Sequence, residues 1–283
     1  MRRYFVLSDK NLKSYCGDTE DSAKKDYKQS IVVFLDLLGF TKLIESIDKE
    51  SSNEKDIQRI FEILQLLDAF NTKDGVNISA VLPKIEFSPE LKDKSIDFEK
   101  LQDELKIAYF SDSLVITLSY DENEFDDRLL VIVLLVAYLQ SGLAMANFFS
   151  RGGIAIGRMY HKDNIFFGKA YLDAIELEKI AIYPRVILSS DIEKMQKKSN
   201  KKIPYIKKVE DGLWYIDFLD YAKNIRNSSV CIQPIQDNIE QSISASLDNL
   251  KIRAKYTWLM NHQADSNATK KNLKRFSLSH RQN

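Results

Sequence analysis

The sequence lacks what usually builds small stapled or metal-nucleated domains. Its 283 residues hold two cysteines, Cys16 and Cys231, far apart and outside any CxxC pattern. That argues against a disulfide framework and a zinc site, and it suits a reducing cytoplasm. A charge excess is missing too: 41 Lys and Arg balance 41 Asp and Glu. No overall field draws such a chain to nucleic acid or to an anionic membrane, so no nucleic-acid partner is expected. There is no internal repeat and no low-complexity segment. The opening MRRYFVLSDK contains no long apolar stretch, so a signal peptide is not expected and the expected location is cytoplasmic.

Charge is also absent from one internal stretch. No Asp, Glu, Lys or Arg lies between Arg128 and Arg151, and Leu129 to Leu139 is almost wholly aliphatic. An apolar run of about 18 residues would suggest a membrane span. Here Gln140, Ser141, Gly142, Asn147 and Ser150 interrupt the second half. The simpler expectation is a helix over 125–149 buried between a sheet and a partner subunit, with no membrane span.

What is present is organised around Ile31 to Thr41, IVVFLDLLGFT. Ile31 to Leu35 read as a strand buried on both faces. Asp36 closes that run, and a carboxylate there is costly unless something pairs with it, as a metal ion would. Gly39 permits a tight turn into a helix whose first N–H groups would face outward, ready for phosphate. The competing reading is a core strand ending in a capping Asp.

An amphipathic helix follows on Ile57, Ile60, Phe61, Leu64 and Leu67. Residues 71–104 show no sustained period and read as an insertion. Leu105 to Ser119 reads as a hairpin with a tight Ser111-Asp112-Ser113 tip. Then come the uncharged helix, a strand at Gly153 to Tyr160, a helix over Phe167 to Ile182, and a short strand at Val186 to Ser189. A basic-ended helix spans Ser190 to Lys198, a late strand Trp214 to Phe218, and one long helix 235–262. This divides the chain into a lead-in at 1–29, a main domain at 30–222, and a C-terminal helical extension with a basic tail at 223–283. The alternation predicts an α+β fold of ferredoxin-like type, an antiparallel sheet with helices. There the first strand and the hairpin lie side by side, and Asp36 and Asp112 could converge on magnesium or manganese holding a triphosphate.

At this point the motifs resemble a family. FLDLLGFT is similar to the first metal-binding motif of class III nucleotidyl cyclases, and FSDSLVI to their hairpin motif. ArgGlyGlyIleAlaIleGly at 151–157, PheGlyLysAla at 167–170 and ProArgValIleLeuSer at 184–189 follow that family's strand, helix, strand order. FSDS, RGGI, YH and FG…LE…IAIYPR resemble in particular the pyrimidine (uridylate/cytidylate) cyclases of Pycsar anti-phage systems. The resemblance covers roughly residues 30–190. It implies two Mn2+ or Mg2+ ions on Asp36, Asp112 and the main-chain carbonyl of Leu37. It implies β- and γ-phosphates on the N–H groups of Leu38, Gly39, Phe40 and Thr41, a homodimer, and a cytoplasmic enzyme. UTP is expected ahead of CTP, giving a 3′,5′-cyclic nucleotide as an antiviral messenger.

The departures are specific. The family's purine-reading positions fall on Ala108 and Ile165, and its transition-state Asn and Arg fall on Leu172 and Glu176. Arg151 could supply the missing charge, and Tyr109 could stack on the smaller base. The alternatives are a purine cyclase with an unusual pocket and a catalytically degenerate domain that binds nucleotide or a partner. His161, a lone histidine beside a turn, reads as structural.

Overall fold

The structure is a computed structural model that describes residues 27–47, 54–68, 71–72, 75–76, 89–91, 96–162, 165–199, 201–225 and 228–262. Cys16, most of the 1–29 lead-in and the tail after 262 lie outside these residues. Strand β1 (Lys28–Leu38) leads into α1 (Phe40–Ile47) and α2 (Glu54–Asp68). A small ribbon of β2 (Asn71–Thr72) and β3 (Gly75–Val76) precedes α3 (Phe98–Glu104). The hairpin β4 (Leu105–Phe110) and β5 (Ser113–Ser119) feeds α4 (Phe125–Met145), β6 (Phe149–Lys162), β7 (Ile165–Gly168) and α5 (Lys169–Ala181). Then come β8 (Val186–Leu188), α6 (Ser190–Ser199), β9 (Ile206–Lys208), β10 (Trp214–Ile216), α7 (Phe218–Asn224), α8 (Ser228–Ser244) and a last helix, α9, over 250–262.

The main sheet runs β4-β5-β1-β6-β8-β10-β9, with β7 paired to the far end of β6. Its first four strands are mutually antiparallel. That is the split βαβ order of the ferredoxin-like fold, so the α+β expectation holds. Residues alternate between two faces. Ile31, Val33, Leu35 and Leu37 pack towards α4 in the main core, whereas Val32 and Phe34 pack with Val115 and Ala155 under Ala170 and Ala174 of α5.

Several boundaries differ from expectation, each for a local reason. Asp36 does not close β1. The ladder on both sides, to Ser113 of β5 and Arg151 of β6, keeps it inside the strand. Residues 98–104, placed in the insertion, form a helix capped by Asp97, whose carboxylate accepts from Lys100 N–H at 3.0 Å. Phe167 and Gly168, expected to open the helix, are instead the end of strand β7, because they pair with Tyr160 and Met159 of β6. The expected helix over 235–262 is two helices. Ser246 turns its hydroxyl back to the Ser242 and Ile243 carbonyls, and Asn249 caps the next helix through Ile252 N–H.

Helix α4, free of charge after Arg128, is long and apolar enough to cross a membrane, and most of it is buried within this chain. Its cover is not a partner subunit. Phe218, Leu219, Ile235 and Ile239 of α7 and α8 join its core cluster. Ser141 donates to the Phe218 carbonyl, and the Asn238 amide caps the Ala144 and Met145 carbonyls at 2.9 and 3.0 Å. The end of the main domain and the C-terminal extension thus together do what a second subunit was expected to do.

One glycine sets the spacing of the other face. A Cβ at Gly153 would lie 2.3 Å from the Ala174 carbonyl and 2.4 Å from Leu177 Cβ, so only a bare backbone lets α5 sit this close to β6. Gly153→Ala should therefore destabilise the fold by roughly 1–3 kcal/mol, the usual range for overpacking. A urea midpoint within error of wild type would show that α5 is not seated here.

Candidate active site

The register of the sheet builds a charged site on the α5 face. Asp36 follows Val32 and Phe34 on that face, and Arg151 stands directly opposite it on β6. Arg151 Nε and Nη2 both donate to Asp36 Oδ2 at 3.2 Å. On the other side, Arg151 Nε lies 2.5 Å from Glu178 Oε1 of α5, an ion pair without hydrogen-bond alignment. The close approach allowed by Gly153 is what brings Glu178 down to this level, since a Cβ there would also lie 3.1 Å from the Glu178 nitrogen.

Asp112 comes in from the hairpin tip. Ser111 turns with φ at 55°, and the Asp112 carbonyl accepts from Leu37 N–H at 2.9 Å. That bond ties the tip to the end of β1 and places the two aspartates within electrostatic reach. Gly39 follows with φ at 86°, and a Cβ there would meet nothing within 4 Å. Beyond it, the first intrahelical bond of α1 runs from Leu43 N–H to the Gly39 carbonyl. The N–H groups of Phe40, Thr41 and Lys42 precede that bond and have no partner within the helix. An open-sided turn with outward amides stands beside the paired acids.

Burial lifts the Asp36 carboxyl above its usual range; Arg151 pulls it back and Asp112 pushes it higher. Glu178 is raised as well, first by burial, with Arg151 opposing and Asp36 adding to the rise. Lys255 of α9 belongs to the same cluster. Burial lowers its ammonium and Arg151 adds to that, against Asp36 and Glu178.

The structure brings Asp36, Leu37, Leu38, Gly39, Phe40, Thr41, Asp112 and Arg151 to one end of the sheet. It does not bring Tyr109 there. Tyr109 pairs with Leu114 and packs against the α4-side core, on the opposite face from Asp36. Its neighbour Phe110 pairs with Ser113, itself opposite Asp36, and so shares the Asp36 face. Phe110 is exposed and stacks on Phe166, with centroids 6.1 Å apart. His161 is held by Thr117 Oγ1 at 2.8 Å and leans on Phe166. Leu172 and Glu176 point outward, the latter ion-paired with Lys179. Glu178, Lys255 and Phe110 escaped sequence reasoning. Glu178 sits two residues from Glu176 with nothing local to distinguish it, and the signal for Phe110 was strand parity.

Asp36 and Asp112 fit magnesium or manganese: two hard carboxylates beside phosphate-ready amides are what such ions use. Among the described residues no three His, Cys, Asp or Glu side chains cluster closely enough to hold a metal alone. The remaining ligands would have to come from the backbone, the substrate and water.

No protein-family model and no curated protein matches the sequence. Solved structures do. The adenylyl cyclase CyaB from P. aeruginosa is 13% identical, with a TM-score of 0.42 over 67% of this chain and 94% of that one. The guanylyl cyclase Cya2 is 12% identical, with 0.36 over 68% and 92%. An adenylate/guanylate cyclase/hydrolase from Silicibacter pomeroyi is 14% identical, with 0.34 over 67% and 97%. Scores this low do not fix a family.

The raised carboxyls carry a stability consequence. A carboxylate whose folded pKa exceeds its unfolded value contributes stability present below the unfolded value and lost as pH rises through the folded one. At neutral pH the ionised Asp36 is therefore a net cost to the fold. Asp36→Asn should melt at or above the wild-type temperature at pH 7 without divalent ions, with the difference shrinking as pH falls. A variant melting several degrees lower would mean that the ion pair with Arg151 outweighs burial.

Proposed function

We propose that the protein is a nucleotidyl cyclase that converts a pyrimidine nucleoside triphosphate, UTP ahead of CTP, to the 3′,5′-cyclic nucleotide and pyrophosphate. The observation that carries this is the convergence of Asp36 and Asp112 beside the open Gly39 turn and the first amides of α1. Asp36, Asp112 and the Leu37 carbonyl would hold Mn2+ or Mg2+. When bound, the ions would offset charge on the triphosphate and acidify the ribose 3′-OH. The N–H groups from Leu38 to Thr41 receive the β- and γ-phosphates. Arg151, held by Glu178 as well as by Asp36, would face the charge that develops as the 3′-oxygen bonds to the α-phosphorus and pyrophosphate departs.

The pyrimidine preference rests on what lines the Asp36 face beside the site. Ala108 is buried there next to Val115, and Phe110 and Phe166 offer a flat apolar platform. Among these residues no side chain donates or accepts towards a purine edge, and discrimination in favour of purines needs such groups. An anti-phage role rests on the motif resemblance alone. The proposal includes a homodimer, but through a different surface from α4. Leu172 and Ile180 on one face of α5, with Ile165 and Phe167 of β7, are exposed, and apolar patches of this kind usually mark an interface.

A second reading, nucleotide binding without turnover, has an observation in its favour: Arg151 occupies Asp36, and Leu172 and Glu176 are exposed to solvent on α5. One incubation separates the readings. With manganese and all four NTPs, the expected main product is cyclic UMP or cyclic CMP, resolved by mass, and both Asp36→Ala and Asp112→Ala should abolish it with circular dichroism unchanged. Cyclic AMP or cyclic GMP as the main product would sink the pyrimidine reading, and no cyclic product at all would favour the non-catalytic one.

The dimer has its own check. Leu172→Asp combined with Ile180→Asp should halve the mass measured by light scattering at micromolar protein. An active wild-type monomer at that concentration would exclude a shared site.

A further inference from the structure

The described C-terminal helix α9 crosses the same end of the sheet as the candidate site. Tyr256 packs edge-on against Phe149 at the start of β6, with centroids 5.1 Å apart. Two residues on, Trp258 stacks on Tyr183 at 5.0 Å and lies under the Arg185 guanidinium at 5.2 Å. Arg185 is almost wholly buried, donates to the Ala181 carbonyl and pairs with Asp211 at 2.5 Å, so it makes a rigid anchor. Phe149 and Tyr183 flank the strand and helix ends that carry Arg151 and Glu178. The helix is thus pinned to the strand and helix ends that carry the charged cluster, and Lys255, one residue before Tyr256, is half-buried within electrostatic reach of Asp36, Glu178 and Arg151.

We infer that Lys255 is a phosphate-binding residue of this site, supplied by the C-terminal extension, and that with Arg151 it forms a two-cation receptor for a polyphosphate. This rests on the reading of the site as a nucleoside triphosphate site and adds to it a residue beyond the 30–190 stretch that carries the motifs. The charges explain why two cations tolerate one another here. At rest Asp36 and Glu178 balance Arg151 and Lys255. Once a divalent cation takes up Asp36 and Asp112, both basic groups lose part of their compensation, and the cluster becomes net positive. A polyphosphate restores the balance, and charge-assisted bonds in a half-buried setting are the strong ones. Lys251, exposed on the same helix, has no such surroundings and serves as the control.

The test uses the full chain and inorganic tripolyphosphate with manganese, followed by calorimetry. Lys255→Met should weaken binding by about tenfold or more, as loss of one charged hydrogen bond does. It should also flatten the salt dependence, while Lys255→Arg keeps most of the affinity and Lys251→Met matches wild type. Melting temperatures without ligand control for folding. If Lys255→Met lowers the melting temperature but binds tripolyphosphate as wild type does, Lys255 merely neutralises the two acids and the inference is overturned. Should the methionine variant not fold, loss of affinity in Lys255→Gln with Lys255→Arg unaffected decides for the inference, and equal affinity in all three proteins decides against it. The broader reading fails separately: wild type that binds tripolyphosphate through Lys255 yet makes no cyclic product keeps the receptor and loses the enzyme. Wild type that binds no tripolyphosphate loses both.

Discussion

The pairing of Asp36 with Arg151 across β1 and β6 is the interaction on which the site depends. Strand register makes it: a one-residue slip of β1 would turn Asp36 to the α4 face, where Leu35 and Leu37 now sit in the core, and away from Arg151. Register in turn is held by the two-sided burial of β1, since both faces carry apolar side chains that would be misplaced together. The ion pair is therefore a consequence of the hydrophobic core and not its cause. Being half-buried and shared with Glu178, it adds little stability of its own. Its value lies in holding two acids and one base in a fixed geometry at the end of a rigid sheet.

The elements legible in the sequence were those in which local pattern and tertiary role agree. IVVF is buried on both faces and became the central strand. The Ser111-Asp112 tip is a turn by composition and became one, and RGG at 151–153 became a strand that α5 approaches closely. Where the two diverge, reading failed. Tyr109 and Phe110 are adjacent aromatics, and only the pairing of Phe110 with Ser113 decides which shares a face with Asp36. The break between α8 and α9 falls inside an unbroken apolar period, where Ser246 and Asn249 act by side-chain bonds that periodicity does not register. Glu178 and Lys255 looked like ordinary surface charges because nothing in their own segments shows what lies across from them.

The long apolar helix α4 illustrates the same division. Its composition required burial on all sides, and that much was sound. The identity of the cover was not in the helix but more than 70 residues downstream. Phe218 and Leu219 arrive through a short helix capped by Asp217, and Ile235 and Ile239 through α8. Closing α4 from within removes it as a docking face, whereas Ile165, Phe167, Leu172 and Ile180 of β7 and α5 stay exposed. It also means that the extension after 222 is part of the fold's core, so its removal would uncover α4 and the site together.

Site and scaffold meet in a trade between stability and function. Asp36 and Glu178 are both held above their ordinary pKa by burial, which at neutral pH opposes folding. A fold that needed only stability would place apolar groups here, as it does one step away at Phe34 and Ala155. Ionisable residues kept at a net cost, around an open glycine turn, are characteristic of positions selected for what they bind. The offset comes from elsewhere in the same molecule: from α4 with its cover of α7 and α8, and from Trp258 and Arg185, which hold α9 against the sheet. That last contact links the two halves of the trade, because the anchor that adds stability also holds the helix that carries Lys255, within electrostatic reach of Arg151.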